Sequence, residues 1–363
     1  MTNNRLFLDV HAIQTLPPSN INRDDTGSPK TAQYGGVRRA RVSSQSWKRA
    51  MRKFFHENSA ESNVGVRTLE IVRYVANKIQ TIDASIEHEE AMKMADKVLN
   101  TAGVKTKDQR ARALFFIGDV QAEALAKAAV EGNNVKKELQ ELLNDNPAID
   151  IALFGRMVAD DPTLNEDASS QVAHAISTHA VQTEFDFYTA VDDHSVGDHA
   201  GAGMLGTLEY NSSTLYRYAN VAVHELLEQL EDSEAVVNTL QLFIESFVKS
   251  MPTGKVNSYA NQTLPHAVIV SLRTDRPVSL VTAFEEPVHS SKGHVEPSVK
   301  GLFRELTRVE RFVDQAEAVL YLTLDDFDLS KVAYEGAVEE KNMNSLLEDT
   351  KLKVTELLSK SGD

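Results

Sequence analysis

The sequence predicts an α+β fold in which a core of strands and helices carries long insertions. Three features of the chain indicate this class. Strand-like stretches occur near the start and again in the second half, a helix-rich region separates them, and a glycine-rich segment joins two strands as a protruding hairpin. The length of 363 residues is sufficient for two or three domains, and no internal repeat is evident.

The first elements are two strands separated by a loop. Apolar side chains at alternate positions predict a strand over residues 5–13. Turn-forming residues from Pro17 onward predict that the chain then leaves the strand and continues as a long loop to Gly36. A short strand over 37–42 follows, and the pair of serines after it is suited to cap a helix.

The next helix is the clearest element of the chain. Its apolar residues repeat with the spacing of one helical stripe and are Trp47, Ala50, Met51, Phe54 and Phe55. The opposite face carries Gln45, Lys48, Arg49 and Arg52. The spacing therefore predicts a helix with one buried face and one basic face.

The remaining elements form a helical insert and a mixed second half. Between residues 64 and 143 the pattern predicts helices alone, including 66–79 and 121–130. Strands are then predicted at 151–157, 172–181, 185–191, 208–221, 267–272 and 319–324. Helices are predicted at 233–249, near 298–313 and at 344–358. The glycine-rich segment between Asp192 and Thr207 is predicted to be the tip of a long hairpin.

Composition excludes several classes of protein. The chain has no cysteine, which removes disulfides, thiolate nucleophiles, iron–sulfur clusters and cysteine-based zinc sites. No apolar run approaches the ~18 residues of a membrane span. The first residues include Arg5, Asp9 and His11, where a signal peptide would have an apolar stretch. We therefore expect a soluble, cytoplasmic protein that does not bind membranes.

Positive charge is concentrated in one segment, although the net charge of the chain is −15. Between Thr26 and His56 there is no acidic residue, and the basic residues are Lys30, Arg38, Arg39, Arg41, Lys48, Arg49, Arg52 and Lys53. Glycines, arginines on a strand and the start of a helix are together suited to bind phosphate groups. The alternative is a basic helix face that is only solvated.

The sequence supports metal sites and nucleophiles less strongly than it supports a phosphate-binding segment. His174 and His179 are five residues apart, a spacing that suits neither a helical nor a strand metal site, so a structural role is predicted. Asp192, Asp193 and His194 are better candidates for a divalent ion, although such residues also solvate flexible tips. No serine lies in a nucleophile motif and no phosphate-binding glycine motif occurs, so neither catalysis nor a cofactor is expected.

Several segments resemble one known family. The sequence is similar to the CasC-type backbone subunit of the type I-E CRISPR Cascade complex. The resemblance lies, in order, in Asn22–Asp25, Tyr34–Ala50, Asp150–Met157, Ala173–His179, Tyr188–Asp193 and Tyr216–Asn220. The family fold that this implies is a ferredoxin-like palm, similar to an RNA-recognition domain, with helical fingers and a β-hairpin thumb. On this sequence the parts would be palm at 1–58, fingers at 59–168, a palm strand at 169–180, thumb at 181–214 and palm at 215–363.

The resemblance also implies a function in antiviral defence. Such subunits polymerise head to tail along a guide RNA as a helical ribonucleoprotein and present the guide in segments for pairing with target DNA. The implied phosphate contacts are Arg23, Lys30, Ser43, Gln45, Lys48, Arg49 and Arg52, beside the strand arginines Arg38, Arg39 and Arg41. The implied residues around each kinked base are Met157, Tyr188, Thr189 and Leu205. The partners would be the guide RNA, further copies of the chain, and the large, small, end-capping and guide-processing subunits of the complex.

The resemblance implies that the subunit is not an enzyme. DNA is cut in this family by a recruited helicase-nuclease, and Asp24 or Asp25 is expected to order the loop around Arg23 rather than to catalyse. A function of a different class stays open. The chain could instead be a metal-dependent ribonuclease that uses Asp192, Asp193 and His194.

Overall fold

The computed structural model describes residues 5–58, 63–189 and 205–361. Within them the chain forms strands β1 (Phe7–Ser19), β2 (Thr31–Tyr34), β3 (Val37–Val42), β4 (Val66–Thr68), β5 (Thr106–Lys107), β6 (Arg110–Ala111), β7 (Phe115–Ile117), β8 (Ser170–Val172), β9 (Ala175–Ser177), β10 (Glu184–Thr189), β11 (Leu205–Ala222), β12 (Ala267–Arg273), β13 (Ala318–Thr323) and β14 (Val338–Glu339). The helices are α1 (Ser44–Asn58), α2 (Ile71–Ile82), α3 (His88–Ala102), α4 (Asp119–Val130), α5 (Lys136–Asn144), α6 (Ile149–Phe154), α7 (Val223–Leu230), α8 (Ser233–Lys249), α9 (Val256–Tyr259), α10 (Val295–Val309) and α11 (Met343–Ser361). The predicted α+β class is confirmed.

The chain divides into two compact units. The first, here called the sheet unit, comprises Met1–Met51, Val172–Asn220 and Phe243–Asp363. The second, the helical unit, comprises Arg52–Gln171 and Val221–Leu242. The predicted palm at 215–363 includes the last of these segments.

The sheet unit is built on one large sheet. Its strand order is β14-β13-β12-β1-β11-β9-β3-β2, and β10 pairs with β11 beside this path. The central β1 pairs antiparallel with β12, from Phe7 opposite Arg273 to Ile13 opposite Ala267. Most of β1 is buried, and its buried residues include the polar side chains of Asp9, His11 and Gln14 as well as apolar ones.

The first strand is longer than predicted, because it continues through Pro17 and Pro18 to Ser19. Side-chain bonds hold this extension in place. The Gln14 amide donates to the Thr263 carbonyl at 2.8 Å, and the Thr263 hydroxyl donates to the Thr15 carbonyl at 2.8 Å. Tertiary pairing therefore outweighs local turn preference, and the predicted loop is confined to the residues between β1 and β2.

A buried arginine fixes α1 on the sheet unit. The Arg217 guanidinium lies 3.6 Å from the ring centroid of Trp47 and 4.3 Å from that of Phe247. It donates to Gln14 Oε1 at 2.6 Å and to the Phe247 carbonyl. Burial lowers the pKa of Arg217 to about 9. Trp47 and Met51, two residues of the predicted stripe, are almost fully buried, so the apolar face of the helix is confirmed.

The helical unit has its own core. Helices α2 to α5 contribute most of the buried side chains, among them Val75, Leu99, Leu125 and Leu139. The insert is not wholly helical, since β4 pairs with β7 and β5 with β6. The strand predicted over 151–157 is wrong, because residues 149–154 form α6. Short apolar runs do not distinguish a strand from a buried helix.

The long hairpin begins as predicted, with β10 antiparallel to β11 from Glu184 opposite Tyr210 to Thr189 opposite Leu205. Its tip, residues 190–204, lies outside the described residues, and so do Asp192, Asp193 and His194. In the part of the chain that the structure describes, no helix is both long and apolar enough to cross a membrane.

Candidate nucleic-acid interface

The loop between β1 and β2 is ordered by one carboxylate. Asp24 Oδ1 accepts hydrogen bonds from the backbone N–H groups of Thr26 and Ser28, each at 3.0 Å, and from the Thr26 hydroxyl at 2.7 Å. The bond from the Thr26 hydroxyl lowers the pKa of Asp24, so the group stays ionised. The loop-ordering role predicted for Asp24 or Asp25 therefore belongs to Asp24, and Arg23 beside it is exposed.

Asn22 connects this loop to the start of α1. Its side-chain oxygen accepts from the Ser43 N–H at 2.8 Å, and its carbonyl accepts from the Lys30 N–H at 2.9 Å. The Lys30 carbonyl in turn accepts from the Arg41 N–H at 2.9 Å. Lys30, Arg41 and Ser43 therefore lie together, although they belong to a loop, a strand and a helix cap.

His174 lies at the centre of this group. Its Nδ1 atom accepts from the Ser44 N–H at 3.2 Å and lies 3.4 Å from a guanidinium nitrogen of Arg41. Burial and the charges of Arg41 and Lys30 lower the pKa of His174, which fits a neutral ring. Sequence analysis assigned His174 to structure alone and missed this position between the cations. The only indication in the sequence that His174 belongs to the site is its position in Ala173–His179, a segment that carries the family resemblance.

Helix α1 supplies the outer part of the site. Gln45 and Arg49 are exposed and Lys48 is half-buried, so these three side chains follow the solvent side of the first turns. Burial lowers the pKa of Lys48. Ser43 is buried and accepts from the Ser46 and Trp47 N–H groups through its carbonyl, which makes it the N-terminal cap position. We call Arg23, Lys30, Arg41, Lys48 and Arg49 the basic surface.

Four of the five cations of the basic surface have no acidic partner in the part of the chain that the structure describes. Among the residues that the structure describes, Arg23, Lys30, Arg41 and Arg49 have no carboxylate within ion-pair distance. Many other cations of the chain are paired, for example Lys93 with Glu89 at 2.9 Å. Unpaired positive charge in a chain of net charge −15 is typical of a surface that binds a polyanion.

Arg39 does not belong to this surface. It is fully buried and donates to the carbonyls of Tyr34 at 3.1 Å, Ser177 at 3.2 Å and Phe284 at 2.8 Å. Burial lowers its pKa. A guanidinium whose donors are used on carbonyls cannot reach a phosphate, so the predicted RNA contact at Arg39 is wrong. Arg38 is exposed on the opposite face of β3 from Arg41 and stands apart from the basic surface.

Arg52 also has another role. Its Nε donates to Asp150 Oδ2 at 2.9 Å, and its guanidinium lies 4.2 Å from the Phe116 ring centroid. Asp150 is fully buried and also accepts from the Gly65 N–H at 2.7 Å. Burial raises the pKa of Asp150, and Arg52 opposes that shift. The structure therefore places Arg52 in the support of the helical unit, against the prediction of a phosphate contact.

The two glycines before β3 are required by the backbone conformation of the turn. Gly35 and Gly36 have φ values of 58° and 76° and form the two-residue turn between β2 and β3. Both residues of such a turn need positive φ. A Cβ atom on Gly35 would lie only 1.7 Å from the Glu285 carbonyl oxygen. These glycines are explained by the turn and by this contact, and they need no phosphate.

The residues predicted to surround a kinked base lie in different units. Met157, in the helical unit, is 84% exposed and follows Arg156, whose guanidinium donates to the carbonyls of Leu164 and Leu143. In the sheet unit, Thr189 ends β10 opposite Leu205, the first residue of β11. The ring of Tyr188 covers Gly206 closely, since a Cβ there would lie 2.4 Å from the phenol. Tyr188 therefore braces the hairpin and stays 39% exposed.

Two phenylalanines add apolar surface to the hairpin. Phe185 and Phe187 are 66% and 67% exposed and lie on one face of β10. His179 supports the base of the hairpin, because its Nε2 accepts from the Thr214 N–H at 3.1 Å. Burial lowers the pKa of His179 to about 4. Its predicted structural role agrees with these contacts. No cluster of metal-ligating side chains occurs within 5–58, 63–189 and 205–361.

Comparisons with known proteins agree with one another. A family model described as CT1975-like protein matches residues 8–349. A chain of a solved "CRISPR RNA-guided surveillance complex, pre-nicking" is 31% identical, with a TM-score of 0.84 over 96% of this chain and 100% of that one. A chain of a "CRISPR RNA-guided surveillance complex" is 29% identical, with a TM-score of 0.74 over 95% of this chain and 99% of that one. No curated protein matches. The chain therefore belongs to the CT1975-like protein family.

Proposed function

We propose that this chain is the guide-RNA-binding backbone subunit of a CRISPR RNA-guided surveillance complex of the Cascade type, specifically type I-E. Family membership and similarity over 96% of the chain to a subunit of such a complex support this function. The segments Asn22–Asp25 and Tyr34–Ala50, which carry the type I-E resemblance, contain four of the five cations of the basic surface, and Lys30 lies between them. The proposed partners are the guide RNA, target DNA through the guide, further copies of the chain and the other subunits of the complex.

The basic surface is the observation that carries RNA binding. It combines Arg23 and Arg49, which are exposed and unpaired among the described residues, with Lys30 and Arg41 beside the start of α1. It offers cations and backbone donors but few groups that could read a base edge. Such a surface recognises the sugar–phosphate backbone and is insensitive to sequence. A subunit that must accept any guide needs that property.

The hairpin is proposed to act on the same RNA. It would lie over the RNA bound by a neighbouring copy, so that assembly and guide binding depend on one element. Met157, Tyr188, Thr189 and Leu205 would surround each displaced base. Unstacking a base costs a few kcal/mol, which the neighbouring contacts would offset. The chain itself is proposed to bind and present the guide without cutting nucleic acid.

Co-purification tests the proposed function. The chain is expressed with a guide RNA, purified, and analysed for the ratio of nucleic-acid to protein absorbance and for the length of any bound RNA. We expect the wild type to retain RNA and the Arg23→Ala/Lys30→Ala/Arg49→Ala variant to lose most of it. A matched control, Lys93→Ala/Lys127→Ala/Lys137→Ala, removes three lysines that pair with glutamates in the helical unit and should retain RNA.

Two results would contradict the proposal. Equal RNA retention by the two triple variants would mean that the basic surface is only solvated. Cleavage of the RNA that requires magnesium or manganese, and that disappears in Asp193→Ala, would favour the metal-dependent ribonuclease instead.

A further inference from the structure

A small cavity lies within the sheet unit, between the loop after β1 and the hairpin strand β11. Its volume is about 20 Å³. Asn20, Lys30 and Arg41 line it from the loop and β3, and Asn211 and Ser213 line it from β11. Two cations of the basic surface therefore share this cavity with the hairpin strand.

Asn20 bridges the two sides of the cavity. This side chain is 1% exposed, and its amide nitrogen donates to the Gly27 carbonyl at 2.9 Å and to the Glu209 carbonyl at 2.8 Å. Gly27 belongs to the loop between Arg23 and Lys30, whereas Glu209 is in β11. Both hydrogens of one amide are thus used to join the loop to the hairpin.

Three lining residues carry polar atoms that have no hydrogen-bond partner among the described residues. These atoms are Asn20 Oδ1, Asn211 Nδ2 and Ser213 Oγ, in side chains that are only 1%, 7% and 3% exposed. Leaving a buried polar group without a hydrogen bond costs roughly 1–3 kcal/mol. Three such groups around one cavity indicate that something binds there.

The chemistry of these atoms defines the occupant. Asn20 Oδ1 accepts, Asn211 Nδ2 donates and the Ser213 hydroxyl does either. A cation could not accept from Asn211, and an anion would be repelled by the Asn20 oxygen. A water molecule both donates and accepts, and it needs at least ~10–15 Å³ and two to four polar partners. The volume of the cavity suits one water and excludes a phosphate group.

We infer that this cavity holds one ordered water, and that Asn20 together with that water fixes the Arg23–Lys30 loop to the base of the hairpin. Asn20 is then a positioning residue of the basic surface. This inference rests on the proposed function only where it concerns RNA. Its consequence is that the loop cations and the hairpin move as one body, so that a guide bound at the loop meets a hairpin already in place.

Amide hydrogen exchange on the RNA-free full chain tests the connection itself. In Asn20→Ala, the Asp24 and Lys30 N–H groups, which donate to the Ser28 and Asn22 carbonyls, should exchange about tenfold faster. The milder Ser213→Ala removes one partner of the water and keeps both Asn20 bonds, so an acceleration of about fivefold is expected. Asn220→Ala, a buried asparagine of the same strand, is the matched control and should leave the loop unchanged.

Unchanged exchange in the loop of Asn20→Ala would overturn the connection. A crystal structure with no density within hydrogen-bond distance of Asn20 Oδ1 and Asn211 Nδ2 would overturn the water.

Affinity for single-stranded oligouridine tests the positioning role. Asn20→Ala should weaken binding about tenfold in the wild-type background, a change of about 1.4 kcal/mol. It should weaken binding no further in an Arg23→Ala/Lys30→Ala background, because the cations that it positions are gone. An equal loss in both backgrounds would refute positioning. If the wild type binds no RNA, the proposed function fails, whereas the exchange experiment still decides the connection.

Discussion

Replacing Arg52 by alanine should destabilise the helical unit and leave the electrostatics of RNA binding intact. The reason is its partner. Asp150 is 0% exposed, whereas the Arg52 side chain is 19% exposed, so the variant leaves a buried carboxylate without its counter-ion. Removing one member of a buried ion pair costs about 3–5 kcal/mol. Because Arg52 is partly exposed, we expect the lower end of this range, about 3 kcal/mol.

The assay is urea denaturation followed by circular dichroism, together with the salt dependence of RNA affinity. Lys53→Ala is the matched control, since Lys53 is the next residue and forms only an exposed pair with Glu57, worth at most about 1 kcal/mol. Asp150→Asn combined with Arg52→Ala should recover much of the lost stability, because no buried charge remains. The assignment would be refuted if Arg52→Ala unfolded like the wild type and flattened the salt dependence of binding.

Three further predictions follow from the fold and the hairpin. Burial raises the pKa of Asp9 from 3.8 to about 7, so its contribution to stability is complete below pH 3.8 and is lost as pH rises to 7. Urea denaturation from pH 5 to 8 should therefore show the wild type losing about 3 kcal/mol more stability than Asp9→Asn, and parallel curves would contradict this. Deleting 194–203 should preserve the circular dichroism spectrum but abolish long assemblies on RNA in electron micrographs, and intact assemblies would show that the hairpin is a surface loop. Chemical probing of bound RNA should reveal regularly spaced reactive nucleotides that Tyr188→Ser weakens, while a uniform pattern in the wild type would refute base kinking.

Sequence patterns identify the helices and strands that have a strong periodicity. They do not predict the parts of the fold that depend on contacts with residues far away in the chain. The stripe that begins at Trp47 specified α1 because its spacing is a local property. The extension of β1 to Ser19 depends on Thr263, which is far away in the chain. The segment 149–154 is apolar apart from Asp150 and too short to show a periodicity, so pattern alone could not distinguish a helix from a strand there.

The same limit applies to the basic surface. Local charge located the segment, but it did not show which arginines face inward. An arginine is rarely buried unless a partner accepts its hydrogens, and the sequence does not show where those partners lie. Arg39 is buried because the carbonyls of Ser177 and Phe284 accept its hydrogens, and Arg52 is half-buried because it donates to Asp150. All three partners are far from the arginines in sequence. The bridge formed by Asn20 was missed for the same reason, because its contact at Glu209 lies in the hairpin strand.

The central claim is that the basic surface binds the RNA backbone, and the salt dependence of affinity tests it most directly. For the wild type and the Arg23→Ala/Lys30→Ala/Arg49→Ala variant, the logarithm of the affinity for single-stranded RNA is measured against the logarithm of salt concentration. Each lost phosphate contact should reduce the slope by about 0.7, so the triple variant should be flatter by about 2. The slope of Lys93→Ala/Lys127→Ala/Lys137→Ala should stay that of the wild type. Equal slopes for the wild type and the Arg23→Ala/Lys30→Ala/Arg49→Ala variant would contradict the claim.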